Sequence, residues 1–346
     1  MPSRTFVVED EAAAADLLAG KGWTDGLPIV APTRERVAAI LDWAGMAPDQ
    51  LMGVEPVKSR TLSAEKVAIN AVMAGCQPPH FPVVAAAVQA MCHPDYLLHG
   101  SSSSTGGCAV LVVVNGPIRR QLGMTGTFSC LGGGDPAALV IGRAVRLVVR
   151  NLVEVRPGDL DRSTLGHPGK VSFCLAEDEE GSPWRPLAQD RGIPADGTSA
   201  VTVMAASGPR QVLNEWTTQP DELLATFAAE MRANLLHYSI WGGNYVVVIP
   251  KQLRDILHAA GVTKADVRQY LYEHAQVRRR DWASVGKRQV VGQAKADKVY
   301  RALPSPEHCL VVAAGGPAGG FAAVIPPWLG HRSSAVTVPI GACVEC

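Results

Sequence analysis

The chain has 346 residues, and its 32 Lys and Arg residues balance 32 Asp and Glu residues, so the formal net charge at pH 7 is zero. This balance creates no overall field for nucleic acid or an anionic membrane and favours a small or locally recognised partner. No apolar run approaches the roughly 18 residues that span a bilayer, and the acidic N-terminal segment lacks the features of a secretory signal. Eight cysteines are too few for a disulfide scaffold, so a reducing cytoplasm is the expected compartment.

The first part of the chain, residues 1–105, is predicted to be mainly helical. Apolar spacing, capping residues and breaking prolines predict its helices. They cover residues 9–19, 34–43, 64–74 and 82–91. Between the first two lies the segment Gly-Trp-Thr-Asp-Gly-Leu-Pro over 22–28, which is predicted to be a structured loop.

The pattern changes in residues 106–346, where runs of β-branched and small apolar residues end in Gly-Pro or Pro turns. These runs cover 110–117, 201–209, 245–250 and 310–317. Helices are predicted between them, over 136–151, 220–234, 251–260 and 264–276. Continuous apolar strands are typical of burial on both faces, so the sequence predicts an α/β fold, a sheet with helices on both faces. One α/β region is our preferred organisation, and a split into two lobes near 195–210 is the alternative.

The C-terminal segment carries two thiols, Cys343 and Cys346. Their spacing is used by dithiol redox centres and by half of a thiolate metal site. A tail of this kind can reach an active site in its own subunit or in a neighbour and transfer electrons or a soft metal. Redox activity, metal ligation and a chance pair all stay open, and a thiolate-bound metal ion is the only cofactor that the sequence suggests.

A third thiol, Cys130, lies in the glycine-rich loop 125–135 just before a predicted helix. The helix dipole is expected to lower the thiol pKa, which would suit a nucleophile or a metal ligand. The alternative is a tight loop that includes a cysteine by chance. Backbone N–H groups of this loop and of 315–320 are able to hold an anion, but neither has the spacing of a P-loop or a dinucleotide fingerprint.

Two polar loops precede the first long strand. Asp25 is a candidate general base or ligand, with Trp23 and Thr24 as substrate contacts, although an Asx turn also explains an Asp-Gly pair. His99 and Thr105 frame a serine-rich loop that is suited to position a polar substrate. The loop has no nucleophile-elbow pattern, so a serine hydrolase is disfavoured.

A histidine and several carboxylates flank a short predicted strand near residue 174. His167 and Glu179 offer a general base or hard-metal ligands, while the alternative is a solvated acidic hairpin. Trp184, which follows the acidic run, is assigned to the substrate together with Asn115 and Arg143.

Several of these strings resemble a largely uncharacterised bacterial family marked by a TDGLP motif, and the resemblance runs over most of the chain. The strings lie at 23–28, 68–76, 114–117, 141–144, 165–169, 182–184 and 312–316. Such relatives are associated with small thiol or selenol proteins that carry UGSC or CGSC motifs. The resemblance therefore implies a redox or soft-metal context and a thiol or selenol redox partner protein. The stretch around Cys130 and the terminal cysteine pair depart from the family pattern, which suggests specialisation towards thiol chemistry.

Together these features lead us to expect a small-molecule enzyme with thiol-dependent reductase or lyase chemistry. One pocket is expected from the loops 23–28, 99–107 and 125–135 and the segment 167–184. Acid–base roles fall to Asp25, His167 and Glu179, and sulfur roles to the cysteines named above. The alternatives are a zinc, copper or mercury protein without turnover and a scaffold without a site. A scaffold is favoured if no pocket joins these loops and the named polar residues scatter over the surface. The sequence leaves homo-oligomerisation open.

Overall fold

A computed structural model describes residues 3–238, 240–291, 295–328 and 333–341, without the side chains of residues 290 and 291. Its helices are α1 (Glu11–Gly20), α2 (Arg34–Ala44), α3 (Ala64–Ala74), α4 (Phe81–Cys92), α5 (Leu98–Ser103), α6 (Ile118–Gln121), α7 (Pro136–Asn151), α8 (Leu187–Asp190), α9 (Pro220–His237), α10 (Lys251–Ala259), α11 (Lys264–His274) and α12 (Arg288–Val291). Its strands are β1 (Leu51–Glu55), β2 (Arg60–Ser63), β3 (Ala109–Asn115), β4 (Cys174–Ala176), β5 (Ala200–Ala206), β6 (Arg210–Leu213), β7 (Tyr245–Ile249), β8 (Gln276–Arg278), β9 (Val299–Arg301), β10 (Cys309–Ala313), β11 (Phe321–Ile325) and β12 (Val336–Pro339).

Local sequence accounts for most helix boundaries. The Thr33 side chain accepts a hydrogen bond from the Arg36 N–H at the start of α2, and Gly45 ends the same helix in the left-handed conformation, with φ of 63°. Two expectations differ from the structure. Ser63 ends β2 and makes no side-chain cap on α3, and the serine-rich loop begins with the helix α5.

Eight of the twelve strands among the described residues form two four-stranded sheets. The first sheet has the order β12-β5-β3-β4, and the second has the order β10-β7-β11-β6. In each sheet one pair is parallel, β3 with β4 and β7 with β10, and the other pairs are antiparallel. The two sheets therefore repeat one pairing scheme.

The sheets pack face to face, because alternate residues of both meet in one apolar cluster. Leu111 and Val113 of β3 lie in it with Val246 and Val248 of β7, whereas Val112 and Val114 point to the helical side. Helices α4 and α7 cover the outer face of the first sheet, with α3 packed on α7, and α9 and α11 cover the outer face of the second. The predicted α/β class and helical N-terminal region are confirmed. Both faces of each sheet are buried. Helices cover the outer face, and the partner sheet covers the inner face.

The two sheets exchange strands. The chain leaves β5 in the first sheet, crosses at residues 207–209 and forms β6 at the edge of the second sheet. It later leaves β11 in the second sheet and forms β12 at the edge of the first. The first crossing falls in the range where the sequence offered a two-lobe split, but the exchange interlocks the two halves. No helix among the described residues is long and apolar enough to cross a membrane.

Candidate functional site

The residues expected to share one pocket lie in separate parts of the molecule. Strand β3 has seven residues, so its ends are about 20 Å apart at roughly 3.3 Å per residue. Thr105 and His167 lie near its first residue, whereas Asn115 and Glu179 lie at its last. Asp25 is elsewhere again, on the outer helical layer against α7.

Asp25 holds the 22–28 loop against α7. The Arg143 guanidinium donates to both of its carboxylate oxygens at 2.8 Å, and the Leu27 N–H donates to Oδ1 at 3.1 Å. Burial favours a higher pKa for Asp25, but these hydrogen bonds outweigh it and hold the pKa below its usual value. The Trp23 carbonyl accepts a hydrogen bond from the Asn151 side chain, and the Thr24 hydroxyl accepts the Gly26 N–H within the loop. In this structure the loop residues and Arg143 have structural partners, as the Asx-turn alternative requires.

The acidic run after β4 joins the two sheets. Glu177 is 1% exposed and accepts hydrogen bonds from the Lys264 ammonium, the Asn115 amide and the backbone N–H groups of Leu187 and Ala313. Neither a solvated hairpin nor a free general base describes this buried carboxylate.

The next carboxylates of the run pair with two buried arginines. Asp178 accepts from Arg254 at 2.5 Å. Arg119, which is 1% exposed, donates to Glu179 at 2.9 Å and to Glu180 at 3.0 Å. Glu179 thus has an ion-pair partner and lines a cavity of about 220 Å³ with Asn115, Arg119 and Thr198.

Three further candidate residues, Cys130, Trp184 and His99, contact other parts of the protein. Cys130 packs against the apolar layer between the sheets, and burial together with the nearby Asp135 carboxylate raises its pKa to about 11. The expected lowering of this pKa is wrong, because desolvation outweighs the helix dipole. Trp184 is buried and its indole N–H donates to the Val262 carbonyl. His99 lies 3.4 Å from the buried Glu55 carboxylate.

The structure brings Thr105 and His167 together in a cleft of about 600 Å³ at the start of β3. The lining comes from parts of the chain that are far apart in the sequence, at 105–106, Leu131, 164–169, Phe173, 207–210 and Tyr238. Three of the four segments expected to share a pocket, 99–107, 125–135 and 167–184, thus contribute to this cleft, whereas the 22–28 loop does not. Ser207, Arg210 and Tyr238 were not singled out from the sequence. The only sequence signal near them is the Gly-Pro turn after β5.

The His167 ring is fixed in this cleft. The Gly169 N–H donates to Nδ1 at 3.2 Å, so the neutral ring carries its proton on Nε2, which faces the Ala206 carbonyl at 3.3 Å. Burial lowers the pKa of His167. The ring also packs edge-on against Phe173, with 5.6 Å between centroids. Both nitrogens are engaged, so His167 shapes the cleft and does not present a free base.

Two hydroxyls and a guanidinium supply the polar groups of the cleft. The Ser207 hydroxyl lies 3.3 Å from the Tyr238 oxygen, and the Tyr238 hydroxyl donates to the Gly106 carbonyl at 3.2 Å. Arg210 is held at the rim by Glu230 at 3.2 Å and Asn234 at 3.3 Å. This arrangement is suited to orient a polar molecule and to move a proton along the hydroxyl pair.

An ionic cluster anchors the loop that carries His167. Asp161 accepts hydrogen bonds from Lys170 at 2.7 Å, from Arg146 of α7 at 3.1 Å and from Ser163. Burial alone would raise the pKa of Asp161, but these hydrogen bonds reverse the effect and lower the pKa to about 2. The loop is therefore tied to α7 through one ionised carboxylate.

Asp161→Asn is expected to lower the free energy of unfolding by about 2 kcal/mol at pH 7. The folded-state pKa lies below the ordinary value, so this stabilisation is present above pH 4 and is lost as the pH falls towards 2. Urea unfolding at pH 7 and pH 2.5 measures the difference, which should shrink at the lower pH. Asp159→Asn, an exposed carboxylate of the same loop, is the control. A pH-independent difference would contradict the prediction.

The remaining comparisons are negative. Among the described residues no group of three or more His, Cys, Asp and Glu side chains is arranged to hold a metal ion. Cys343 and Cys346 lie outside the described residues. Comparison with models of known protein families found no match, and neither did comparison with curated proteins.

Proposed function

We propose that the protein is an enzyme that acts on a small polar molecule bound in the His167 cleft. The observation that supports this most directly is the convergence of Ser207, Arg210 and Tyr238 with the fixed imidazole in about 600 Å³. This volume is within the range of small-molecule sites, in which a few polar groups orient the ligand.

Proton-transfer chemistry of the lyase type fits these groups better than reduction. The Tyr238 and Ser207 hydroxyls are adjacent, so one is able to move a substrate proton while the other orients the substrate. Arg210 provides a cationic rim for a carboxylate or another acidic group. Cys130 and Cys174 directly adjoin the lining residues Leu131 and Phe173. Burial raises the pKa of both thiols, to about 11 for Cys130, so neither is a thiolate at neutral pH.

The test follows the consumption of compounds from a small-molecule extract by mass spectrometry. We expect the wild-type protein to consume a reproducible set of compounds and Ser207→Ala/Tyr238→Phe to consume them at least about 100-fold more slowly, the usual effect of removing a general acid or base. Glu180→Gln, at the opposite end of β3, is the matched control and should keep the wild-type rate. Equal rates in the double variant, or no compound consumed, would contradict the proposal.

A second candidate function is thiol chemistry at the other end of β3. The Ile340 N–H donates to the Ser199 carbonyl at 2.7 Å, next to Thr198 in the lining of the 220 Å³ cavity. The six residues from Gly341 to Cys346 are joined by five Cα–Cα steps and span at most about 18 Å, less than the length of β3, which is about 20 Å. This supports redox or soft-metal chemistry at the cavity of Glu179, with the thiol or selenol partner protein suggested by the resemblance.

A thiol titration tests this second candidate. The six cysteines in the described part of the chain are unpaired, which also supports a reducing compartment. Burial raises their pKa values, to about 12 for Cys76, Cys92, Cys108 and Cys309. A disulfide reagent should therefore react rapidly with two thiols of the native protein and with none in Cys343→Ser/Cys346→Ser. Fast reaction that persists in the double variant would contradict thiol function of the tail. Metal analysis of both proteins separates ligation from redox activity.

A further inference from the structure

A second concave region lies between the N-terminal segment and helices α1, α2 and α3. This groove, which we call the N-terminal groove, has a volume of about 1050 Å³. Its walls include the apolar side chains of Phe6, Leu17, Ile69 and Met73. It lies on the outer helical layer, away from the His167 cleft, and none of the functions proposed above uses it.

A buried carboxylate with a free oxygen lines the groove. Glu65 is the second residue of α3 and is 1% exposed. Its Oε1 accepts the Ser3 N–H at 3.4 Å, whereas its Oε2 is buried without a hydrogen-bond partner. Glu65 lies in the first turn of α3, where the helix dipole is complementary to a carboxylate. A further hydrogen-bond donor stabilises the buried Glu65 carboxylate, because a buried charge without a donor is costly.

Four cationic residues line the groove, Arg4, Lys21, Arg34 and Lys66, and none of them reaches the free oxygen of Glu65. The Lys21 ammonium lies 4.7 Å above the Phe6 ring. The Arg34 guanidinium donates to the Thr5 hydroxyl at 2.6 Å. Arg4 and Lys66 are exposed.

A second acceptor lies in the same lining. The Asn151 amide nitrogen donates to the Asn70 side chain at 2.7 Å and to the Trp23 carbonyl at 2.8 Å. These bonds fix the amide, and its Oδ1 is also buried without a partner. The groove thus combines apolar walls with two unpartnered acceptors, one of them anionic.

We propose that the N-terminal groove binds a small amphipathic amine. The apolar body of the ligand packs between α1 and α3 and is removed from water. Its ammonium donates to Glu65, with the Asn151 oxygen as a second acceptor. A carboxylate or phosphate group is not favoured beside Glu65, because it brings negative charge to a buried carboxylate.

Calorimetric titration at pH 7 with octylamine, octanoate and octanol tests this proposal. Saturable binding of octylamine is expected, at least tenfold tighter than that of octanoate or octanol. Glu65→Gln should weaken octylamine binding at least tenfold, and Ile69→Trp, which fills the groove, should abolish it. Asp42→Asn removes an exposed carboxylate of α2 that lies outside the groove lining and should leave binding unchanged. Thermal unfolding of each variant checks that it is folded.

Two results would overturn the proposal. One is equal affinity for octylamine and octanoate, and the other is octylamine binding that survives both Glu65→Gln and Ile69→Trp. Neither bears on the His167 cleft, whose variants lie elsewhere in the molecule.

Discussion

Glu177→Gln is expected to lower the free energy of unfolding by about 3–5 kcal/mol, although the two side chains have nearly the same shape. The Glu177 carboxylate receives four donors, from Lys264 at 2.9 Å, Asn115 at 2.7 Å, Leu187 at 2.6 Å and Ala313 at 3.1 Å. Glutamine places an NH₂ group against two of these donors and leaves the buried Lys264 ammonium with only the Asp190 carboxylate, at 3.7 Å, as an ion-pair partner. Urea unfolding followed by circular dichroism measures the change.

Glu180→Gln is the matched control for this prediction. Glu180 belongs to the same acidic run and pairs with Arg119, but its side chain is 52% exposed. Its loss should cost less than about 1 kcal/mol, as for other exposed ion pairs. Equal destabilisation by the two variants would show that burial of Glu177 does not set the effect.

Gly126→Ala is expected to cost about 2–4 kcal/mol, since it combines backbone strain with a steric collision. Gly126 has a φ of 67°, and a Cβ there would lie 2.4 Å from the Ala176 carbonyl oxygen. The Gly126 carbonyl also accepts the Gly315 N–H at 2.8 Å. The loop before α7 is therefore packed between the ends of β4 and β10, and it has no room to shift.

Gly123→Ala separates the two contributions. Gly123 has nearly the same φ, 66°, but a Cβ there meets nothing within 4 Å. It should cost only the backbone strain, about 1–2 kcal/mol. Urea unfolding measures the loss in the free energy of unfolding for each variant, and the difference between the two losses is the cost of the collision. Equal losses would contradict the close packing at Gly126.

The local sequence determined most of the helices and four of the main strands. The Thr33 cap and the left-handed Gly45 bound α2 as predicted, and the apolar runs that end in Pro form β3, β5, β7 and β10. These features depend on neighbours within a few residues, so the sequence shows them directly. The short edge strands β6 and β12 lack such a signal, because their stability comes from partners more than 100 residues away.

The sequence predicted much less of the candidate site. The sequence found Thr105 and His167, but Ser207, Arg210 and Tyr238 join them only because the two sheets meet at that end of the molecule. For the acidic run from Glu177 the sequence predicts either catalytic residues or a solvated hairpin. Its role between the sheets follows from Arg119, Arg254 and Lys264, which approach it from three other segments.

The sequence by itself thus determined the α/β class, the helical N-terminal region and the positions of the main elements. Only the tertiary structure decided that two sheets face each other and exchange strands, and which polar residues share a cleft. An apolar run looks the same whether a helix or a second sheet covers it. Partnership between distant polar groups depends on long-range packing, which no local spacing records.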